Sequence, residues 1–363
     1  MGVVPFAGVL TKGPLALVLA GALCCSAGAS NRSDAPCRDA ALVSAKSAKV
    51  IMRFSAQNGV RPLRRPVLPG YDAVADGHGG WYVAGVGLAH LRHDGQLDHS
   101  WHSPLQRKLV TGTLQRAGSR LYVSDGRRVF ALDARTGRKL WASAMVVRSS
   151  GIHTLATDGT VVYVGGVFGF VAREPRLSLA AFDARTGRLL PWRPPGLVYY
   201  KGTTPLVSAL AVTPTTLYLG GGFTAVDGVP RADAAAVRRD NGTVTAFVPR
   251  LADEGVYAIA PAGGVVLIGG SVAGGAYDPR TGKQLKGYKS VFNAFAMDVR
   301  GQTAYLGGTI RDRIPLYNLL AIDIRTGERR TWFPNVAKYM NVRRIAASGD
   351  RVFVGGELCS SIG

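Results

Sequence analysis

Six residues around Gly95 carry the side chains from which metal sites are built: His90, His93, Asp94, Asp98, His99 and His102. Imidazole and carboxylate are ordinary ligands for transition metals. Their spacing matches no standard zinc pattern, however, and they cluster about a turn, where polar groups meet water. His90, His93, Asp98 and His99 therefore stand as weak metal candidates beside a plainer reading, a solvated and mildly pH-sensitive edge. No metal or cofactor is assigned. A second set appears when short strands are aligned along the chain. Asp72, Gly112, His153, Ser208, Tyr257, Phe295 and Arg343 then take equivalent leading positions. Asp72, His153 and Arg343 could hold a small polar ligand, with Tyr257 and Phe295 stacking on it. They are equally a set of ordinary strand starts. No Ser–His–Asp triad is assigned, because a triad is defined by geometry.

Three longer loops, Phe168–Leu177, Trp192–Lys201 and Ile310–Tyr317, mix aromatic and arginine side chains. That composition is enriched at interfaces. It marks Phe170, Arg173, Trp192, Tyr199, Tyr200, Arg311, Arg313 and Tyr317 as a contact surface. The competing reading is that Phe170, Tyr199 and Tyr200 cap the apolar core.

The elements that must position these residues recur along the chain. One phrase is a short β-branched or aromatic run ending in small residues: WYVAG (81–85), LYVSD (121–125), VYVGG (162–166), LYLGG (217–221), VLIGG (266–270), AYLGG (304–308) and VFVGG (352–356). A shorter apolar run precedes each, so each pair reads as a hairpin. The other phrase is an apolar strand, a turn ending in Gly, and a strand leading to an aromatic residue. Its glycines are Gly59, Gly95, Gly137, Gly187, Gly242, Gly282 and Gly327. Its aspartates Asp133, Asp183, Asp278 and Asp323 can accept hydrogen bonds from turn amides.

Seven hairpins of each kind, at intervals of tens of residues, predict an all-β, seven-bladed β-propeller of four-stranded antiparallel blades. The order is offset. The chain opens with a lone turn-type hairpin, placed at 50–63, and closes with a lone hairpin at 342–358. A shared blade built from both ends would close the ring, and an open ring would leave strand edges and apolar faces in water. Cys37 and Cys359 flank this shared blade. A disulfide between them closes about 320 residues, for which chain entropy sets a ceiling of roughly 5–6 kcal/mol.

The stretch Ala131-x-Asp133-x-x-Thr136-Gly137-x-x-x-Trp141 resembles the tryptophan-docking repeat of pyrroloquinoline-quinone-type propellers. Those include quinoprotein dehydrogenases and an outer-membrane assembly propeller lipoprotein. The match is loosened by one residue at Asp183-Gly187-Trp192 and Asp323-Gly327-Trp332, and Phe247 and Tyr288 replace Trp in other units. The resemblance implies that each Trp packs between neighbouring blades on a turn peptide. A second stretch, Gly221-Gly222-Phe223-Thr224-x-Val226-x-Gly228-x-x-Arg231, resembles repeats of secreted bacterial propellers. Quinoprotein dehydrogenases close their cofactor site with adjacent cysteines. Here Cys24-Cys25 falls inside an export signal, and no calcium-binding set is recognisable. Copper chemistry of the galactose-oxidase type needs a cysteine that closure has already taken.

Residues 1–29 read as a cleaved signal peptide: Lys12, an apolar run from Pro14 to Cys25, and Ala27-Gly28-Ala29. Residues 30–49 read as an extension or linker and 50–363 as the propeller. The charge of +21 favours anionic surroundings, although solubility alone would account for it. The export signal and the absence of a basic helix argue against specific nucleic-acid binding. No later segment is apolar for long enough to span a membrane. The sequence thus points to a monomeric, extracytoplasmic binding or scaffold propeller for a protein, glycan or anionic envelope polymer. The alternative is a quinoprotein-like oxidoreductase, or a hydrolase or lyase, with its site at the channel mouth.

Overall fold

The computed structural model describes residues 40–47, 50–54, 72–85, 87–105, 113–147, 151–192, 194–199, 203–251, 255–271, 274–288, 294–310, 317–332 and 342–356. These form strands and turns only, arranged in antiparallel sheets. Seven sheets share one plan, with strands hydrogen-bonded in chain order in six of them and across the two ends of the chain in the seventh. Each begins with what is here termed a leading strand: Asp72–Ala75, Leu114–Ala117, Gly151–Thr157, Leu206–Val212, Val256–Ala262, Ala294–Arg300 and Val342–Ser348. The second strands carry the small-residue endings. Trp81–Gly85 and Val265–Gly270 are buried along their whole length. A continuous apolar run is what a strand covered on both faces requires.

The cover comes from the adjacent sheets. Seven buried clusters fill the spaces between neighbours, each drawing on two of these seven sheets. The sheet of Val342–Ser348 shares one cluster with that of Ala294–Arg300. It shares another, through Ala346 and Phe353, with Trp81 and Val83 of the sheet of Asp72–Ala75. The Trp81 indole donates to the Ala346 carbonyl at 2.9 Å across that second space.

The first and last parts of the chain lie in one sheet. Its order is Val50–Phe54, Ala40–Ser44, Arg351–Gly356, Val342–Ser348, with Ala40 opposite Gly355 and Ser44 opposite Arg351. The N-terminal hairpin is therefore Ala40–Phe54 rather than 50–63. Its turn is Ala45–Ser47, and residues 50–54 form the outer strand. The sequence reading missed it because this turn has no glycine, and it followed Gly59 instead. A strand also occupies the end of the stretch read as linker. Cys37, Cys359 and the segment 1–29 lie outside the described residues.

Four full strands occur in the sheets of Leu114–Ala117 and Val342–Ser348. In the other five, the fourth strand contracts to a single bridge, such as Phe182 with Leu189 or Tyr277 with Gln284. Pro191, which has no N–H to donate, follows the first of these bridges closely.

The docking phrase works between units. Asp133 accepts from the amide and hydroxyl of Thr136, both at 2.8 Å, and Gly137 adopts φ 77°. Trp101 of the preceding unit lies on this turn and donates to Ala134 O at 2.8 Å. A Cβ on Gly137 would meet Trp101 Cε2 at 3.0 Å. Trp141 does the same one unit on, donating to Ala184 O at 3.2 Å. Tyr288 donates to Ile324 O at 2.6 Å. Trp192 departs from the pattern: it is half-buried, packs edge-on against Tyr163, and its buried indole N–H finds no acceptor among the described residues.

Candidate functional site

The seven leading strands line a single cavity of about 400 Å3. Its wall includes Asp72, Thr113, Gln115, Thr154, Ser208, Tyr257, Phe295, Met297, Asp298, Arg300 and Arg344. Five leading strands enter it through a β-bulge, where the register shifts around one extra residue. The bulged residues are His153, Ser208, Tyr257, Phe295 and Arg343. A bulge takes a residue out of the ladder and re-aims its side chain. The alignment that grouped these five in the sequence was therefore detecting one backbone feature.

The Gly-Gly endings explain why that feature exists. All five bulges face a Gly-Gly pair on the partner strand, whereas the corresponding pairs beside the two unbulged strands are Ala-Gly and Ser-Asp. The first glycine admits the next sheet: a Cβ on Gly220 would lie 2.5 Å from Val256 Cγ1. The second glycine admits the sheet's own leading strand: a Cβ on Gly166 or Gly221 would collide with the carbonyl of Gly151 or Leu206.

Around the wall, side chains tie one leading strand to the next. Asp72 accepts from the amides of Ala73 (2.8 Å) and Leu114 (2.6 Å) and pairs with Arg344 Nε at 3.2 Å. The Ser208 hydroxyl donates to Val256 O, and the Ala347 amide donates to Asp298 at 2.6 Å. Burial pushes the Asp298 carboxyl up to about 6, against the amides of Ala347 and Val299 and the charge of Arg300. Tyr257 and Phe295 meet at 5.5 Å and 60°.

Of the predicted ligand set, Asp72, Tyr257 and Phe295 line the cavity. His153 and Arg343 sit at its bulges, while their neighbours Thr154 and Arg344 form the wall. Burial lowers the His153 pKa. The sequence reading missed Asp298, although a carboxylate inside the otherwise apolar run AFAMDV was the signal for it.

The histidine cluster is built differently from a metal site. Among the described residues no group of three or more His, Cys, Asp or Glu is placed to hold a metal ion. His90 lies between two carboxylates, Asp98 at 2.9 Å and Asp76 at 3.0 Å, and stacks on Tyr82 at 4.8 Å. Burial disfavours its charge, but the two carboxylates outweigh this and raise its pKa. Asp98 also accepts from Ser100 and is held down to about 2 despite partial desolvation. His99 is exposed, and the His93 carbonyl accepts from Arg351.

Two of the predicted contact loops form small three-stranded ribbons. One comprises Val146–Val147, Phe170–Val171 and Glu174–Pro175; the other Leu197–Val198, Ala225–Val226 and Val229–Pro230. Arg173, Leu177, Val198 and Val229 are exposed on them, whereas Phe170 and Tyr199 are half-buried. Trp192 packs inward against the core. Arg231 ties its ribbon to the segment after Ala234–Arg238, donating to Pro230 O and Thr245 O, both at 2.8 Å. Tyr200, Arg311 and Arg313 lie outside the described residues, and of Tyr317 only the backbone is described, paired with Ile310.

Repeated antiparallel sheets, docking aromatics and an all-β backbone define a repeat protein of the pyrroloquinoline-quinone-like propeller class. The chain belongs to the family described as outer membrane protein assembly factor BamB, whose profile matches residues 93–357. No curated protein matches it. Among solved structures it is similar to the computationally designed Ika8 protein. That likeness has 15% identity and a TM-score of 0.51, over 77% of this chain and 78% of the other. A second designed protein, Ika4, aligns at 14% identity and a TM-score of 0.36, over 50% of this chain and 98% of its own. Among the described residues no helix is long and apolar enough to cross a membrane.

Proposed function

We propose that the chain is a closed, seven-bladed propeller that acts in the cell envelope as a non-catalytic binding or scaffold module. The observation that carries this reading is the single cavity walled by all seven leading strands, with an aromatic pair at its bulges. Closure is supported by the sheet uniting Ala40–Ser44 with Arg351–Gly356 and by the apolar cluster on each of its sides. A disulfide between Cys37 and Cys359, which lie outside the described residues, is part of this reading. Non-reducing peptide mapping should recover the linked pair; two free thiols would remove it.

The family's name supports an envelope setting, as do the export-type residues 1–29 and the charge of +21. The cavity's two carboxylates are engaged in holding the wall together, Asp72 with Arg344 and Asp298 with the Ala347 amide. That favours recognition over catalysis. Exposed Arg173, Leu177, Val198 and Val229 on the ribbons suit a partner protein, glycan or polymer. The protein is read as a monomer.

The test is co-sedimentation of the purified protein with envelope fragments at low salt and at about 1 M salt, where the Debye length falls to roughly 3 Å. Binding that survives high salt supports a shaped surface. Complete loss of binding would reduce the proposal to nonspecific charge.

A further inference from the structure

We infer that the mouth of the cavity is a saccharide site whose ligand is a sugar ring carrying a carboxylate. This rests on the binding role proposed above and names the ligand class.

Tyr257 is the one aromatic among the exposed large apolar side chains of the described residues, at 38% exposure. The docking aromatics Trp101, Trp141, Phe247, Tyr288 and Trp332 are all buried. Leaving a tyrosine ring partly open forgoes part of the roughly 150–250 Å2 such a side chain can bury. Its neighbour Phe295, half-buried, stands at the equivalent bulge of the next leading strand, and the two rings meet edge to face. Two consecutive bulges that each present an aromatic ring form a stacking ledge. The apolar C–H face of a pyranose fits such a ledge.

The rest of the wall suits the ring's edge. Hydroxyl groups both donate and accept, and Thr113, Gln115, Thr154 and Ser208 offer the same mixture. The third consecutive bulge, after Tyr257 and Phe295, is Arg343, which is exposed. Arg344 beside it faces the cavity but is paired with Asp72, which leaves Arg343 as the group that meets the carboxylate. A guanidinium fork matches a carboxylate in two parallel hydrogen bonds. A cationic ligand fits less well: Asp72 is already paired with Arg344 and two amides, and the Asp298 carboxylate already accepts from the Ala347 amide.

The experiment titrates the purified protein with a galacturonate trimer, the neutral galactose trimer and inorganic polyphosphate by calorimetry, at low and high salt. The uronate should bind more tightly than the neutral trimer and should keep most of its affinity in salt, unlike polyphosphate. Tyr257→Ala and Phe295→Ala should each weaken the uronate by about tenfold. Arg343→Gln should weaken it towards the neutral trimer while leaving the neutral trimer unchanged. Uronate binding that ignores Tyr257→Ala, or that disappears with salt alongside polyphosphate, overturns the site. Equal binding of the two trimers overturns the carboxylate assignment, and binding of neither overturns the whole inference. If Tyr257→Ala binds no sugar differently yet still sediments with envelope fragments, the broader binding role stands without this site.

Discussion

The Trp332 indole donates to the carbonyl of Ser44, 288 residues earlier in the chain, at 2.8 Å. It is the docking contact repeated once more, with the receiving turn supplied by the N-terminal hairpin. Trp332 is 3% exposed and packs beside Ala41, Val43 and Val352. Trp332→Ala should therefore lower stability by about 3–5 kcal/mol through lost packing. Trp332→Phe, which keeps most of the packing and loses the donor, should cost about 1–2 kcal/mol. Trp192→Ala, at a half-buried ring without that hydrogen bond, should cost clearly less than Trp332→Ala. Urea midpoints at constant m would show the ranking, and parity between the two alanine variants would refute it.

The Gly-Gly endings predict a second ranking. Gly220→Ala drives a Cβ to within 2.5 Å of Val256 Cγ1, and such overpacking costs about 1–3 kcal/mol. Gly169→Ala meets nothing within 4 Å and should stay within about 0.5 kcal/mol of the parent. Val256→Ala in the Gly220→Ala background should recover part of the loss, because the two residues share one space. Additive losses would show that the clash is not the cause.

These positions show what could be read from the chain. The hairpins were legible because each strand is an apolar run bounded by turn residues. The docking turns were legible because Asp-x-x-Thr-Gly fixes a local geometry with its own hydrogen bonds. The five bulges surfaced only as a column of unlike residues, since a bulge belongs to a pair of strands and the alignment considered one. The hairpin Ala40–Phe54 escaped because its turn lacks glycine. His90 looked like a ligand because nothing in the sequence shows that Asp76, fourteen residues earlier, closes its second nitrogen.

The Asp76–His90–Asp98 arrangement predicts a pH window. His90 has a raised pKa, so its contribution is complete below the unfolded value of about 6.5 and is lost as pH rises through the folded value. Asp98 is depressed to about 2, so its contribution is present above 3.8 and is lost as pH falls towards 2. The network is strongest between about pH 4 and pH 6.5. His90→Phe, which preserves a ring against Tyr82, should cost about 1–3 kcal/mol near pH 5 and visibly less near pH 9. A difference that does not change with pH would mean that His90 serves only as a packing group.

Asp298 predicts the opposite response to neutralisation. Its folded pKa, about 6, lies above the ordinary 3.8, so the folded protein favours the protonated acid. The associated stability is full below about pH 4 and is lost as pH rises through about 6. Asp298→Asn stays neutral at every pH and keeps an oxygen that can accept from the Ala347 amide. The variant should match the parent near pH 4 and exceed it by about 1–2 kcal/mol near pH 8. Thermal melts across that range measure the divergence, and a carboxyl NMR titration assigns it to this residue. If the two curves run parallel, ionised Asp298 is compensated by its surroundings, Arg300 being the charge that favours its ionised form.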